Sequence, residues 1–204
     1  MRSRQVRTTM IIVILVLGLV AYYAYLSGKA KDERADATMT AVESALARNL
    51  ETDYPPTPKE VMKYYTDLMK CLYSEDTSDE EVDALAMKAR ELYDADLLAI
   101  NESGSYLLKL RSEVADYRAN KRQILRVNVA SSTNVDYYEI DGFSFARLLV
   151  VFTMNEDGKP YTQRLIFLLR RDDARRWKIY GWDLEENVDL TGEGASGGSG
   201  EDEG

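Results

Sequence analysis

The chain has 204 residues, 45% of them apolar, and a formal net charge of −9. The apolar content excludes a wholly disordered protein, and the length suits one globular domain with terminal segments. Because the sequence is acidic, lacks histidine and has a single cysteine, we expect no nucleic-acid partner, no metal, no cofactor and no intramolecular disulfide.

The first predicted element is a membrane-spanning helix over residues 10–28. Residues 10–26 contain no charged side chain, and a helix of this length spans about 30 Å, the thickness of a bilayer's hydrocarbon core. Tyr22, Tyr23 and Tyr25 lie at its C-terminal end, where an interfacial aromatic belt is typical. The lipid bilayer is therefore the first partner that the sequence predicts.

The rival interpretation of this segment is a cleaved signal peptide, with Gly28, Lys29 and Ala30 as the only plausible small-x-small cleavage site. The apolar stretch is longer than that of a typical signal peptide, which favours an uncleaved anchor. Three arginines and the amino terminus precede the span, so we expect residues 1–9 to be a short cytoplasmic tail and the domain to lie outside. Basic residues also follow the span, so a small difference in positive charge between its two ends supports this orientation.

Helical patterns come next along the chain. A stalk helix and linker are predicted over residues 29–56, where Pro55 and Pro56 end the helix. The apolar stripe of the stalk consists of Met39, Val42, Leu46 and Leu50. Capping-box patterns at Thr57 and Ser78 then begin two further helices. The predicted helices cover residues 57–73, 78–99 and 105–121.

After residue 121 the apolar period changes from helical spacing to alternation, which predicts strands. These predicted strands cover residues 123–130, 134–141, 143–154, 161–171 and 176–183. Asp157 and Gly158 mark a hairpin turn between the third and fourth. We expect an α+β domain over residues 57–189, with helices packed on a curved antiparallel sheet of about five strands. Residues 190–204 are rich in glycine, serine and acidic residues, which predicts a disordered tail.

The third and fourth predicted strands are apolar on both faces. Leu148 and Leu149 are neighbours in one, and Phe167 and Leu168 are neighbours in the other. Strands of a sheet with one solvent-exposed face should alternate between apolar and polar residues. We therefore expect these two strands to be central and covered on both faces. Helices can cover one face. The other needs sheet curvature, the stalk helix or a second subunit, which predicts a homodimer through the sheet face.

The order of the elements and the closing segment resemble a membrane-anchored bacterial protein with a nuclear-transport-factor-2-like extracytoplasmic domain. Trp177, Lys178 and Ile179 are similar to the W-K-I of the last strand in bacterial members. The resemblance implies a cone-shaped pocket between helices and sheet, ligand or partner binding in many members, catalysis in some, and dimers through the outer sheet face. A short hairpin that members often place between the second and third helices is missing here.

Four side chains are candidates for binding a ligand or a partner: Tyr138, Arg164, Tyr180 and Trp182. In a regular strand Trp177 and Ile179 share one face, and Tyr180 and Trp182 share the other. Both pairs cannot face one pocket unless a bulge intervenes. We therefore expect Trp177 in the core, and Tyr180 and Trp182 on a surface that meets a ligand or partner.

The other charged groups of the sequence do not require a catalytic or metal-binding role. Asp136, Glu139 and Asp141 are close enough in sequence for acid–base catalysis, but a solvated edge strand explains them as well. The acidic stretch 75–83 lacks the glycine and spaced oxygen ligands of a calcium loop and suits a helix N-terminus. Arg164 belongs to a basic cluster of the last two strands, which we interpret as ion-paired or solvated.

The sequence therefore predicts a non-enzymatic extracytoplasmic domain, held in the cell membrane by one span, that binds a protein partner or a small ligand. The alternative from another class is a structural subunit of a conjugation or type IV secretion-like envelope assembly, whose bitopic subunit has a similar layout. A third hypothesis is an enzyme that uses carboxylates and tyrosines in place of histidine.

Overall fold

The computed structural model describes residues 40–74 and 76–188. Its helices are α1 (Ala41–Leu46), α2 (Pro58–Leu72), α3 (Asp79–Arg90), α4 (Ala95–Ile100) and α5 (Ser103–Ala119). Its strands are β1 (Arg122–Val129), β2 (Asp136–Ile140), β3 (Phe143–Glu156), β4 (Lys159–Arg171) and β5 (Trp177–Leu184). Helices come first and one antiparallel sheet of five strands follows, which confirms the predicted α+β class.

Three predicted segments lie outside the described residues: the tail over residues 1–9, the span over residues 10–28 and the tail over residues 190–204. Among the residues that the structure describes, no helix combines the length and the apolar character needed to cross a bilayer. The anchor and its orientation therefore stay predictions from the sequence.

Two helices begin where capping boxes predicted them. The Thr57 side chain accepts a hydrogen bond from the Glu60 backbone N–H at 3.3 Å, and Pro58 takes the first position of α2. The Ser78 side chain accepts from the Glu81 backbone N–H at 3.3 Å, and the Glu81 carboxylate accepts from the Ser78 backbone N–H at 2.8 Å. These bonds satisfy groups that a helix start leaves unpaired, so both predicted starts are confirmed.

The described part of the predicted stalk is a short helix that packs on α2. It ends at Leu46, because the Asn49 side chain accepts backbone hydrogen bonds from a following turn and competes with helical bonding. The Tyr64 hydroxyl donates to the Ala45 carbonyl at 2.7 Å. Leu50 is buried, so this part of the chain contributes to the domain core.

The single helix predicted over residues 78–99 is wrong, because the chain breaks between α3 and α4. At the break the Ile179 N–H donates to the Leu92 carbonyl, and the Asp94 N–H donates to the Ile179 carbonyl, both at 2.8 Å. The Asp94 side chain then caps α4 by accepting from the Asp96 N–H at 2.9 Å. The break covers an edge of β5 whose backbone groups would otherwise be unpaired.

β3 lies at the centre of the sheet. The strand order is β1-β3-β4-β5, and β2 pairs with the first half of β3 while β1 pairs with the second half. Asp157 and Gly158 join β3 to β4 with positive φ angles, as a tight hairpin turn requires. The predicted hairpin and the central position of the third and fourth strands are confirmed.

The helices pack on one face of the sheet, which we call the inner face. Its fully buried side chains include Val150 of β3, Leu169 of β4 and Ile179 of β5. Trp177 is also buried among them, at 7% exposure, as predicted. The core therefore lies between the helices and this face.

The opposite, outer face is also apolar. Phe145 and Ile166 are buried there, but they stand apart from the core cluster that the helices cover. Ile140 and Phe143 are 54% and 50% exposed. The two-sided apolar pattern is thus confirmed, and within residues 40–74 and 76–188 the helices cover only the inner side.

Candidate functional site

A half-open cavity of about 280 Å³ lies between the helices and the inner face of the sheet. We call it the tyrosine pocket, after the five tyrosines that line it: Tyr65, Tyr73, Tyr93, Tyr106 and Tyr117. Glu113 and Gln163 are the other polar lining residues, and the remaining walls are apolar or aromatic. Such a concave, mostly apolar cavity with few polar groups is typical of ligand sites.

Three tyrosines bring their hydroxyls together from different parts of the fold. Tyr65 lies on the apolar stripe of α2, Tyr93 lies in the break between α3 and α4, and Tyr106 lies near the start of α5. The Tyr93 hydroxyl oxygen is 3.5 Å from that of Tyr65 and 3.4 Å from that of Tyr106. The hydroxyls thus form a row along one wall of the tyrosine pocket.

The solvent side of the pocket carries a carboxylate. The Tyr73 hydroxyl donates to Glu113 Oε1 at 2.7 Å, and the Tyr73 ring lies 4.4 Å from the Tyr117 ring between centroids. Glu113 is exposed and is the one charged side chain of the lining that the structure describes. A ligand entering from solvent would meet this carboxylate and two aromatic rings together.

The phenols of the pocket are neutral. Burial raises the pKa of Tyr65, Tyr93 and Tyr106 well above the ordinary value of 10. Burial also raises the pKa of Tyr73, and the negative charge of Glu113 adds to the effect. The pKa of Tyr117 is raised by burial as well. All five hydroxyls therefore keep their protons at physiological pH, which suits hydrogen bonding better than proton transfer.

β5 contains a bulge at Tyr180. Gly181 pairs with Leu168 of β4, whereas Ile179 pairs with the adjacent Leu169, so Tyr180 is one extra residue in the ladder. A bulge of this kind changes which face the following side chains occupy. The alternation predicted from the sequence therefore fails after Tyr180.

Trp182 consequently faces inward and lines the tyrosine pocket. Its ring centroid lies 6.4 Å from that of Tyr65, 6.1 Å from that of Tyr93 and 5.7 Å from that of Phe167. The prediction that Trp182 shares a face with Tyr180 is wrong, because it assumed a regular strand. Trp182 remains 43% exposed, so a molecule in the pocket would touch it.

Tyr138 and Tyr180 lie instead on the outer face, in a group that we call the outer aromatic cluster. The Phe145 ring is 5.8 Å from Tyr138 and 5.7 Å from Tyr180 between centroids. The Arg170 guanidinium lies 4.8 Å from the Tyr180 centroid and 5.2 Å from the Phe143 centroid. Tyr138 therefore lies on the opposite face of the sheet from Trp182, whereas Tyr180 and Trp182 both line an open groove at the edge of β5.

Two arginines of β4 pair with carboxylates of the same chain. Arg164, the fourth candidate, donates to Glu185 Oε1 at 3.0 Å, and this hydrogen bond lowers the pKa of Glu185. Arg170 donates to Asp94 Oδ2 at 3.0 Å and makes an ion pair with Asp96 at 2.8 Å. The interpretation of the basic cluster as ion-paired is confirmed for these two arginines.

The carboxylates considered for catalysis do not come together. Asp136 makes an ion pair with Arg147 at 3.2 Å, and Glu139 accepts a hydrogen bond from the Ser144 hydroxyl at 3.3 Å. Asp141 lies in the turn before β3 with a φ of 51°. None of the three lines the tyrosine pocket. In the part of the chain that the structure describes, no cluster of three or more acidic or cysteine side chains could hold a metal ion.

Sequence reasoning missed most of the pocket. Tyr65 and Tyr117 have the spacing of apolar helix stripes, where a tyrosine looks like a core residue, and no sequence pattern distinguishes Tyr93, Tyr106 or Glu113. The available signal was compositional, since the chain has 14 tyrosines and only four phenylalanines. Buried tyrosines usually need a partner for the hydroxyl, so this excess indicates a shared polar cavity.

A family model described as a domain of unknown function (DUF6715) matches residues 1–182. The matched range includes the predicted membrane segment, all of the described helices, and the strands as far as Trp182. No curated protein matches the chain. The family match therefore includes the tyrosine pocket and assigns it no activity.

Proposed function

This chain belongs to the family of the domain of unknown function DUF6715, and we propose that its folded domain binds a small molecule in the tyrosine pocket without catalysing a reaction. The observation that carries this proposal is the cavity itself, of about 280 Å³, with aromatic walls and a row of protonated hydroxyls. Apolar walls supply affinity, and a few fixed polar groups supply orientation.

The pKa values of the tyrosines that line the pocket do not suit acid–base catalysis. A general acid or base works best with a pKa near the working pH, but burial moves the pKa values of Tyr65, Tyr93 and Tyr106 away from neutrality. The carboxylate Glu113 is exposed and bonded to one phenol. These properties favour a binding site over an acid–base pair.

The proposal includes the fold family and the location. Helices that precede an antiparallel sheet, with a cavity between the two layers, support a nuclear-transport-factor-2-like fold. Between α3 and α4 the chain makes one parallel bridge, Tyr93 to Ile179, where members often have a hairpin. The uncharged residues 10–26 support a single-pass anchor with the domain outside the membrane.

Binding is tested by titrating the domain with a panel of small amines, sugars and carboxylates while following Trp182 fluorescence and ligand-observed NMR. Gln163→Trp places a large ring in the pocket and should abolish saturable binding. Thr162→Trp is the matched control, because Thr162 is the adjacent residue and points to the outer face. Equal effects of the two variants, or no saturable ligand for the unchanged domain, would reject the pocket.

Location is tested on intact cells. Protease added outside should remove the domain, and alkaline carbonate should leave the full-length protein in the membrane pellet. Deletion of residues 10–28 should release it. A domain that resists external protease until the membrane is permeabilised would show the opposite orientation.

A second candidate activity is self-association through the outer face. Phe143 and Ile140 are half exposed there, and the nearby Arg147 and Arg170 are already paired with carboxylates of the same chain. Two copies of this face can approach without strong like-charge repulsion, so we assign it to a second copy of the chain. Light scattering should show a dimer that Phe143→Glu dissociates. Leu108→Glu is the control, since Leu108 is 71% exposed on α5; a monomer for the unchanged domain would refute the interface.

A further inference from the structure

We propose that the ligand of the tyrosine pocket is an organic cation, such as an amine or a quaternary ammonium compound. This inference rests on the proposed binding function and adds the charge of the ligand to it.

The lining has one formal charge, and it is negative. Glu113 supplies the carboxylate, and among the described residues no lysine or arginine lines the pocket. Since the five phenols are protonated, they add no charge of either sign. An anionic ligand would meet an uncompensated carboxylate, whereas a cation would be neutralised by it.

The aromatic rings surround the cavity from several directions. Trp182 lies 6.4 Å from Tyr65 and 6.1 Å from Tyr93, and the planes of each pair are inclined by 42° and 49°. The Tyr73 ring stands next to Glu113, to which its hydroxyl donates. The face of an aromatic ring is electrostatically negative and attracts a cation within about 6 Å. Rings inclined to one another can therefore contact different sides of one ammonium group.

Two rings of the same lining already bind cations of the protein. The Arg90 guanidinium lies 4.9 Å from the Tyr106 centroid, and the Arg122 guanidinium lies 5.5 Å from the Tyr117 centroid. Neither arginine lines the pocket, and Arg122 is neutralised by carboxylates at 2.8 Å. Arg90 donates hydrogen bonds to the Asn101 carbonyl and the Ser103 hydroxyl rather than to a carboxylate. Its positive charge lies beside Tyr106, so a ligand cation belongs on the opposite side, close to Glu113.

The test uses two probes of matched shape: choline, which is a quaternary ammonium, and 3,3-dimethylbutan-1-ol, which replaces the charged nitrogen by carbon. Calorimetry on the purified full-length chain in detergent should give choline an affinity at least about tenfold higher than that of the neutral alcohol. Glu113→Gln should remove most of this preference. Glu80→Gln, the same substitution at an exposed position of α3, should leave it unchanged.

The outcomes separate the two proposals. Equal binding of both probes, abolished by Gln163→Trp, would keep the binding function and overturn the preference for a cation. A preference for choline that survives both Glu113→Gln and Gln163→Trp would place the cation elsewhere and also overturn the inference. If neither probe binds while a sugar or a carboxylate of the panel binds in the pocket, the charge assignment is wrong and the pocket stands.

Discussion

The two faces of the sheet differ in the polar groups that they carry. The inner face meets the helices and keeps neutral hydroxyls, such as that of Tyr93, in a partly enclosed cavity. The outer face has aromatic rings too, but it carries full charges, and Arg164 and Arg170 are paired with carboxylates. Enclosure penalises charge more than it penalises a hydroxyl. The chain therefore uses tyrosine where a ligand could be held and arginine where the sheet meets solvent.

The largest expected effect compares neighbouring leucines on the two faces of β4. Leu169→Ala on the inner face should lower the free energy of unfolding by about 3 to 4 kcal/mol, because Leu169 is fully buried among core side chains. Leu168→Ala on the half-buried outer face should cost about half of this or less. Urea denaturation measures both, and equal losses would mean that the outer face is as enclosed as the inner one.

A somewhat smaller loss of stability is expected when the buried ion pair between Asp94 and Arg170 is broken. Asp94 is 3% exposed and pairs with Arg170, so Asp94→Asn should destabilise the domain by about 3 kcal/mol. Asp136→Asn breaks the more exposed pair with Arg147 and should cost less than about 1 kcal/mol. Thermal melting of both variants tests this order. A larger loss for Asp136→Asn would contradict the expectation that the more buried ion pair contributes more to stability.

Alkaline pH should act mainly through the inner face. The buried tyrosines have pKa values raised above the ordinary value of 10, so the unfolded chain ionises first. Stability should be fully present below pH about 10 and should fall above it, by about 1.4 kcal/mol per pH unit for each such tyrosine. Tyr93→Phe should reduce the slope of stability against pH by the contribution of one tyrosine, about 1.4 kcal/mol per pH unit. A melting temperature independent of pH between about 9 and 11 would show that these phenols are not enclosed.

The smallest effect is expected from removing one hydroxyl while keeping its ring. Tyr73→Phe leaves the aromatic face beside Glu113 and removes the bond of 2.7 Å between them. Choline affinity should change by less than about threefold, because the ring and the carboxylate supply the attraction. Calorimetry compares this variant with Tyr73→Ala, which should lose more. Equal losses would assign the role to the hydroxyl rather than to the ring.

Local features were predictable from the sequence because they depend on neighbouring residues. The helix starts at Thr57 and Ser78 need only a side chain and a backbone N–H three residues away, and the turn at Asp157 needs only the glycine beside it. The apolar runs of β3 and β4 likewise indicated central strands.

Features that depend on distant partners were not predictable. The break after α3 exists because Leu92 and Asp94 bond to Ile179, far along the chain. The tyrosine pocket follows from it, since the break places Tyr93 between Tyr65 and Tyr106. No spacing in the sequence encodes this meeting, because each hydroxyl comes from a separate element.

The extra residue at position 180 changes which side chains of β5 face the helices. Before it the odd-numbered Trp177 and Ile179 point toward the helices, and after it the even-numbered Trp182 does. A regular ladder that kept Tyr180 would pair it with Leu168 and would turn the indole of Trp182 to the outer side. One wall of the cavity thus depends on the single residue that β5 leaves out of the ladder. Deleting Tyr180 should keep Trp182 opposite Phe167 and preserve that wall.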